Sequence, residues 1–193
     1  MEGTMTREIK STVLHCSESP WADALEINNW HRERGFLWDG YVIGGKRAIC
    51  RRHVGYHVII LNDRPFASSE RYPLFDGQIE PGRPFEADGA HCPGRNESSV
   101  GVCLVGNGTY TPAQLASLWE VQHHLAGKYH FSVDKIEGHC EVLPTGSDGA
   151  PRLCPRLPMD RVREWLLRPA GTTTSEVQWM LDEIEKFKTA KPG

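Results

Sequence analysis

Lys10-Ser11-Thr12-Val13-Leu14-His15-Cys16 is a β-branched and apolar run that ends on a histidine and a cysteine, and it bears on both fold and chemistry. Such a run predicts a short buried strand. Successive side chains of a strand point to opposite faces, so His15 and Cys16 diverge and only one of them readily reaches a shared site. We assign that role to His15. Two later contexts supply partners: Glu137-Gly138-His139-Cys140-Glu141-Val142 and Pro151-Arg152-Leu153-Cys154-Pro155. Two imidazoles and one thiolate form a three-ligand zinc set that leaves the fourth tetrahedral position for water, as in a hydrolase rather than a structural zinc knot. His15, His139 and Cys154 are the candidate metal ligands, with Zn2+ as the expected cofactor.

Working outward, Ser19-Pro20 is read as the start of a helix running through Arg34 and closed by Gly35, a residue favoured just past a helix end. Val54 to Asn62 reads as the next strand, in which Tyr56 faces a site and His57 the other layer. His53 and His57 have the i, i+4 spacing of zinc ligands on a helix. Gly55 and the Val-Ile-Ile run favour a strand, however, and the glutamate of H-E-x-x-H is missing, so both are read as packed or hydrogen-bonded histidines. Val100 to Val105, flanked by glycines, reads as a central strand. The Gly101 to Gly106 spacing lacks the Lys-Ser/Thr ending of a phosphate loop.

Thr111-Pro112-Ala113-Gln114 combines an N-cap threonine, proline at the first helical position and a capping-box glutamine. Leu115, Leu118 and Leu125 mark the buried stripe of that helix, with His123 and His124 outside it. Pro158 to Leu167 reads as a further helix that packs Val162, Trp165 and Leu166 inward. Beyond Pro169-Ala170-Gly171, a last helix opens on a capping box of Thr173 and Glu176. It carries Val177, Met180, Leu181, Ile184 and Phe187 on one face, which either docks on the same domain or receives a partner.

Composition narrows the function. A chain of 193 residues suits one sizeable domain. A net charge of -3 carries no basic excess for a phosphate backbone, so nucleic acid is not an expected partner. Hydrophobic residues at 39% with six tryptophans indicate a globular protein. Met1 to Lys10 is polar, unlike a signal peptide, and no run approaches the roughly 20 apolar residues of a membrane span, so synthesis in the cytoplasm without membrane insertion is expected. Six cysteines without a C-x-x-C pair then read as reduced thiols plus one metal ligand.

An ordered set of short strings carries a family likeness. His15-Cys16-Ser17, Trp30-His31 with Gly35, Gly55-Tyr56-His57, Gly82-Arg83, Gly89-Ala90-His91, Asn96 with Ser99-Val100-Gly101-Val102, His139 with Glu141-Val142, and Cys154-Pro155 resemble the zinc N-acetylmuramoyl-L-alanine amidases. The nearest type is that of the phage lysozymes, whose fold is shared with peptidoglycan recognition proteins. The matches run in order from about residue 9 to residue 167.

The resemblance implies an α/β mixed fold, a central mixed β-sheet flanked by helices, with a zinc amidase catalytic domain at 1–168 and a C-terminal linker and amphipathic helix at 169–193. It implies zinc on His15, His139 and Cys154, with Tyr56 beside the metal. It also implies a basic residue two positions before the last ligand, here Arg152 where the phage-type enzymes usually have lysine. Arginine retains oxyanion stabilisation but not proton exchange near neutral pH. His91, Asn96 and Arg83 are assigned to the substrate groove, with holding the loop from Gly82 to Ser99 as their other role. The links Leu37 to Arg52 and Val142 to Pro151 look longer than in the compact phage-type enzymes and are expected to shape the groove or bind a partner, a neutral insertion being equally open.

The activity so implied is an endolysin-like hydrolysis of the amide joining N-acetylmuramic acid to L-alanine of peptidoglycan or a muropeptide, at the cell wall after membrane permeabilisation. Its alternatives are a noncatalytic peptidoglycan-binding module, from which Cys154 argues away, and a cytoplasmic muropeptide-recycling amidase. A cysteine hydrolase using Cys16 or Cys140 is disfavoured, because neighbouring residues on a strand do not pair as nucleophile and base.

Overall fold

A computed structural model describes residues 7–37, 42–43, 46–47, 53–169 and 172–190. Strand β1, Ser11–Cys16, is fully buried. It pairs in parallel with β6, Ser99–Leu104, and with β7, Ile136–Gly138. On the far side of β6 lies β4, Val58–Ile60, also parallel, and β5, Ile79–Pro81, closes that edge antiparallel to β4. The order β5-β4-β6-β1-β7 is thus a mixed sheet with β6 at its centre, matching the expected class. A separate two-stranded ribbon pairs β2, Val42–Ile43, with β3, Lys46–Arg47; the rest of the Leu37 to Arg52 link lies outside the described residues.

Each sheet face buries its own layer. Leu14, Val58, Ile60, Val100, Val102 and Leu104 point to the larger core. This core is covered by α2 (Pro112–Tyr129), α4 (Met159–Leu166) and α5 (Thr174–Ala190). Leu115, Leu118 and Leu125 of α2 and Val162, Trp165 and Leu166 of α4 are buried there, as their periodicity predicts. Val177, Met180 and Ile184 of α5 join the same core. Each such side chain removed from water contributes about 1.5–3 kcal/mol. Ile59, Leu61, Cys103 and Val105 form the opposite layer with Ala24 and Ile27 of α1, Ala24–Glu33.

Helix starts follow from side-chain chemistry. The capping box of Thr111 and Gln114 forms as expected. Gln114 does more than cap: buried at the helix start, its amide donates to the carbonyls of Val105 (2.8 Å) and Ile60 (3.2 Å), tying α2 to the ends of β6 and β4. Thr12 donates to Gln122 at 2.7 Å, fixing the same helix to β1.

One expected helix start is corrected. The first helix begins at Ala24 rather than at Ser19-Pro20, because Ser19 spends its hydroxyl on the Trp21 carbonyl while the Asp23 carboxylate accepts from the Glu26 amide at 2.7 Å. Gly35 does close that helix, with φ +77°. The last helix, α5, begins at Thr174, just after the expected N-cap Thr173, and Glu176 in its first turn pairs with Arg168, whose guanidinium lies 3.6 Å from the Trp179 ring centroid. No helix among the described residues is long and apolar enough to cross a membrane.

Candidate active site

The C-terminal end of β1 delivers His15 to the face shared with Cys103, its partner on β6. His139 opens the short helix α3, His139–Val142, directly after β7. That turn is fixed by Glu141, which accepts from the Gly138 amide at 2.8 Å and pairs with Arg163 of α4 at 2.8 Å. Cys154 returns beside both: its carbonyl accepts from the Cys140 amide at 2.8 Å, and its sulfur accepts from the Cys16 amide at 3.2 Å. One ligand atom from each of His15, His139 and Cys154 lies within 4.8 Å of the others. His15 Nδ1 stands 3.8 Å from Cys154 Sγ, and the His15 and His139 ring centroids are 4.4 Å apart.

The donor set suits a divalent, thiophilic ion. Burial foremost, then the neighbouring histidines and Arg152, holds His15 well below the ordinary imidazole range. Burial, then Arg152, lowers His139 to about 4. Both rings are therefore neutral near pH 7 and offer lone pairs. His139 Nε2 is buried without a hydrogen-bond partner, the kind of orphaned atom that ligation satisfies. In the protein alone, contact with the Cys16 thiol and burial push the Cys154 thiol up. Cys16, Glu18 and Cys154 form a second close group, so Cys16 reaches the shared sulfur from the opposite side of β1 while His15 alone of the pair joins His139.

A cleft of about 320 Å3 opens onto this cluster, with Tyr56, His139, Arg152 and Cys154 in its wall. Tyr56 packs on His15 (5.0 Å between centroids) and on His31 (5.1 Å). His31 is held in turn by the Gly55 amide, which donates to its Nδ1 at 2.8 Å. Burial keeps the Tyr56 phenol well above its ordinary pKa, so it remains a proton-bearing donor. Tyr56 and His57 diverge, as read from the sequence: the Gly101 amide donates to His57 Nδ1 at 3.0 Å and His57 Nε2 lies 3.0 Å from the Ala87 carbonyl. His53 also bonds locally, to the Phe36 carbonyl.

Arg152 is anchored through its backbone, its amide donating to the Pro144 carbonyl at 2.8 Å, and its Nε is buried without a hydrogen-bond partner. The Val142 to Pro151 link folds back on itself through a Thr145–Pro151 bridge and a 2.8 Å bond from the Gly146 amide to the Ala150 carbonyl. Gly146, Asp148 and Ala150 of that link line the cleft.

The three residues assigned to the groove do not line this cleft. Asn96 Oδ1 accepts from the amides of His91 and Cys92, both at 2.9 Å. Arg83 is buried and donates to the carbonyls of Val54 (2.6 Å) and Asp88 (2.8 Å). His91 is buried behind His15. The side-chain bonds of Asn96 and Arg83 hold the loop from Gly82 to Ser99, whereas that of His91 goes to His15.

Three cleft residues were missed from sequence. Arg34 ends α1, and Glu18 and Arg156, both with left-handed backbone (φ +58° and +60°), form a 3.1 Å ion pair at the cleft. Arg156, two positions past Cys154, carried a positional signal; Glu18 and Arg34 carried none.

The model of the family described as N-acetylmuramoyl-L-alanine amidase matches residues 5–156. The chain belongs to that family. The amidase is 32% identical over 169 residues to the endolysin of Enterobacteria phage K11, covering 82% of this chain and 87% of the relative. It is 32% identical over 159 residues to the endolysin of Escherichia phage T7, covering 77% and 81%. Among solved structures, the N-acetylmuramoyl-L-alanine amidase LysC from Clostridium intestinale URNW superposes with a TM-score of 0.60 at 23% identity, over 83% of this chain and 87% of that one. Wild-type Drosophila PGRP-LB gives 0.51 at 20% identity, over 77% of each. The amidase thus has the fold that its motifs implied and is a peptidoglycan amidase of endolysin-like type.

Proposed function

We propose that the amidase is a zinc enzyme that cleaves the amide between N-acetylmuramic acid and the L-alanine of the stem peptide, with His15, His139 and Cys154 as ligands. The observation that carries this reading is the convergence of these three donors at a cleft also walled by Tyr56 and Arg152. Zinc with three protein ligands supplies Lewis acidity and a water activated toward neutral pH.

The chain's own groups then divide the remaining work. Arg152, in the wall of the cleft, donates to the oxygen that gains charge as the carbonyl becomes tetrahedral. Tyr56, held as a phenol, donates a hydrogen bond to the same oxygen or orients the attacking water. Neutral His15 and His139 keep their lone pairs for the ion, and the amide of Cys16 favours charge on the Cys154 sulfur. Glu18, Arg34, Arg156 and the 142–151 link bound the space for the glycan-linked peptide.

The phage endolysins among the relatives support a role in lysis, with synthesis in the host cytoplasm and access to the wall once the inner membrane is permeabilised. Digestion of purified peptidoglycan by the zinc-loaded protein, with Cys154→Ala as control and mass spectrometry of the products, tests the reaction. Stem peptides beginning at L-alanine, released by the wild type alone, are the expected result. Binding without release would make it a recognition module.

A further inference from the structure

His91, read from the sequence as lining the groove or holding its loop, lies against His15 in the structure. His15 Nε2 lies 3.0 Å from His91 Nδ1, while the other nitrogen of His15 faces the Cys154 sulfur. A neutral imidazole has one N–H and one lone pair. For His15 to offer Nδ1 to an ion, its proton must sit on Nε2, and that proton needs an acceptor in a place closed to water. Both side chains are buried, at 1% and 7% exposure, and His91 Nδ1 is the group within reach to accept it; His91 then carries its own proton on Nε2, which has no hydrogen-bond partner among the described residues.

The acceptor is itself built in. Asn96 accepts from the amides of His91 and Cys92 and so fixes the turn that carries the ring. A side chain at Gly89 would meet the His91 ring at 2.2 Å, and one at Gly101 would meet it at 2.6 Å. Gly101 pairs with Val13 across β6 and β1, two residues before His15 on the same face. The ring therefore fills space that two glycines leave open. Its edge-on approach, with planes at 81° to His15 and 78° to His57, aims a ring nitrogen rather than a ring face at His15.

We propose that His91 is a positioning residue: it accepts the Nε2 proton of His15 and so holds His15 in the tautomer and orientation that present Nδ1 to the metal. This rests on the ligand set proposed above. Outer partners of this kind typically change metal affinity by about 10–100-fold when removed.

The test measures zinc affinity by competition against a chromophoric chelator, beside the His15 tautomer read from two-bond 1H–15N spectra of the histidine-labelled, metal-free protein. The wild type should show the proton of His15 on Nε2. His91→Phe should bind zinc about 10–100-fold more weakly and lose that single tautomer. His91→Asn, whose side-chain oxygen stands near the former Nδ1, should recover most of both.

A role in packing alone would lower the melting temperature of the metal-free Phe variant but leave the tautomer and the affinity unchanged, and that result overturns the proposal. So does a wild-type His15 protonated on Nδ1, a reading that stands even if the Phe variant fails to fold. Failure of the wild type to bind zinc would instead refute the ligand set, and the His15 tautomer would still decide the part of His91.

Discussion

Arg152→Ala isolates the oxyanion donor of the proposed mechanism. The arginine is tied to the fold through its amide, 2.8 Å from the Pro144 carbonyl, and alanine keeps that bond. Its Nε is buried without a partner, so truncation leaves no protein acceptor stranded on that account. Stability should therefore shift by no more than about 0.5 kcal/mol, as for substitutions away from packing and buried networks. The loss belongs in the transition state: removing one such donor costs on the order of 100-fold in kcat, or about 2.7 kcal/mol. Arg152→Lys restores the charge but not the fork of donors and should fall between. The assay is release of stem peptide from soluble muropeptide at saturating substrate, with zinc content and melting temperature measured on each variant. A kcat for the alanine variant within a few-fold of wild type, with zinc intact, would refute the assignment.

Other outcomes follow from the same geometry. Tyr56→Phe removes a phenol that stays protonated and should lower kcat by roughly 10-fold or more without loss of zinc; unchanged turnover would leave Tyr56 as packing for His15 and His31. Dialysis against a chelator should abolish activity and added zinc restore it, with Cys154→Ala beyond rescue. Gln114→Ala removes one donor each from the carbonyls of Ile60 and Val105, which keep bonds from the Val105 amide (2.9 Å) and from Asn62 (3.4 Å), and should cost about 0.5–1.5 kcal/mol in urea unfolding at unchanged kcat.

Acid should destabilise the metal-free protein. Burial holds His57 at about 3 in the fold, against roughly 6.5 unfolded. The unfolded chain takes up that proton first as pH falls. The stability present above about pH 6.5 is then lost progressively down toward pH 3, at no more than about 1.4 kcal/mol per pH unit from this group. Urea midpoints at pH 7, 6 and 5 for wild type and His57→Asn should differ in slope; parallel slopes would contradict it.

The sequence made legible whatever depends on local pattern. The β1 run, the Thr111–Gln114 box and the stripes of α2 and α4 each state their structure within a few residues. The cluster of His15, His139 and Cys154 was legible because each member sits in its own distinctive string. What escaped was pairwise and distant. His91, Asn96 and Arg83 are polar residues in a glycine-rich loop, and the chain alone does not say whether such residues face substrate or their own backbone. Only the register that sets Gly101 beside Val13 shows that a ring from residue 91 arrives at the back of His15. The start of α1 was misread because a serine before proline and an aspartate four positions later compete as caps, and the turn around Ser19 decides between them.

The three proposed ligands also differ in how far apart they lie along the chain. His139 and Cys154 are joined by one short loop, pinned at its base by the bonds from Cys140 to Cys154 and from Arg152 to Pro144, whereas His15 comes from the opposite end of the sequence. An ion shared by all three would act as a long-range clasp, closing residues 15–154 into a ring and fastening the outermost described strand β7 to β1. Its removal should loosen that margin first, and amide exchange in β7 and α3 should quicken while the paired centre of β6 stays protected.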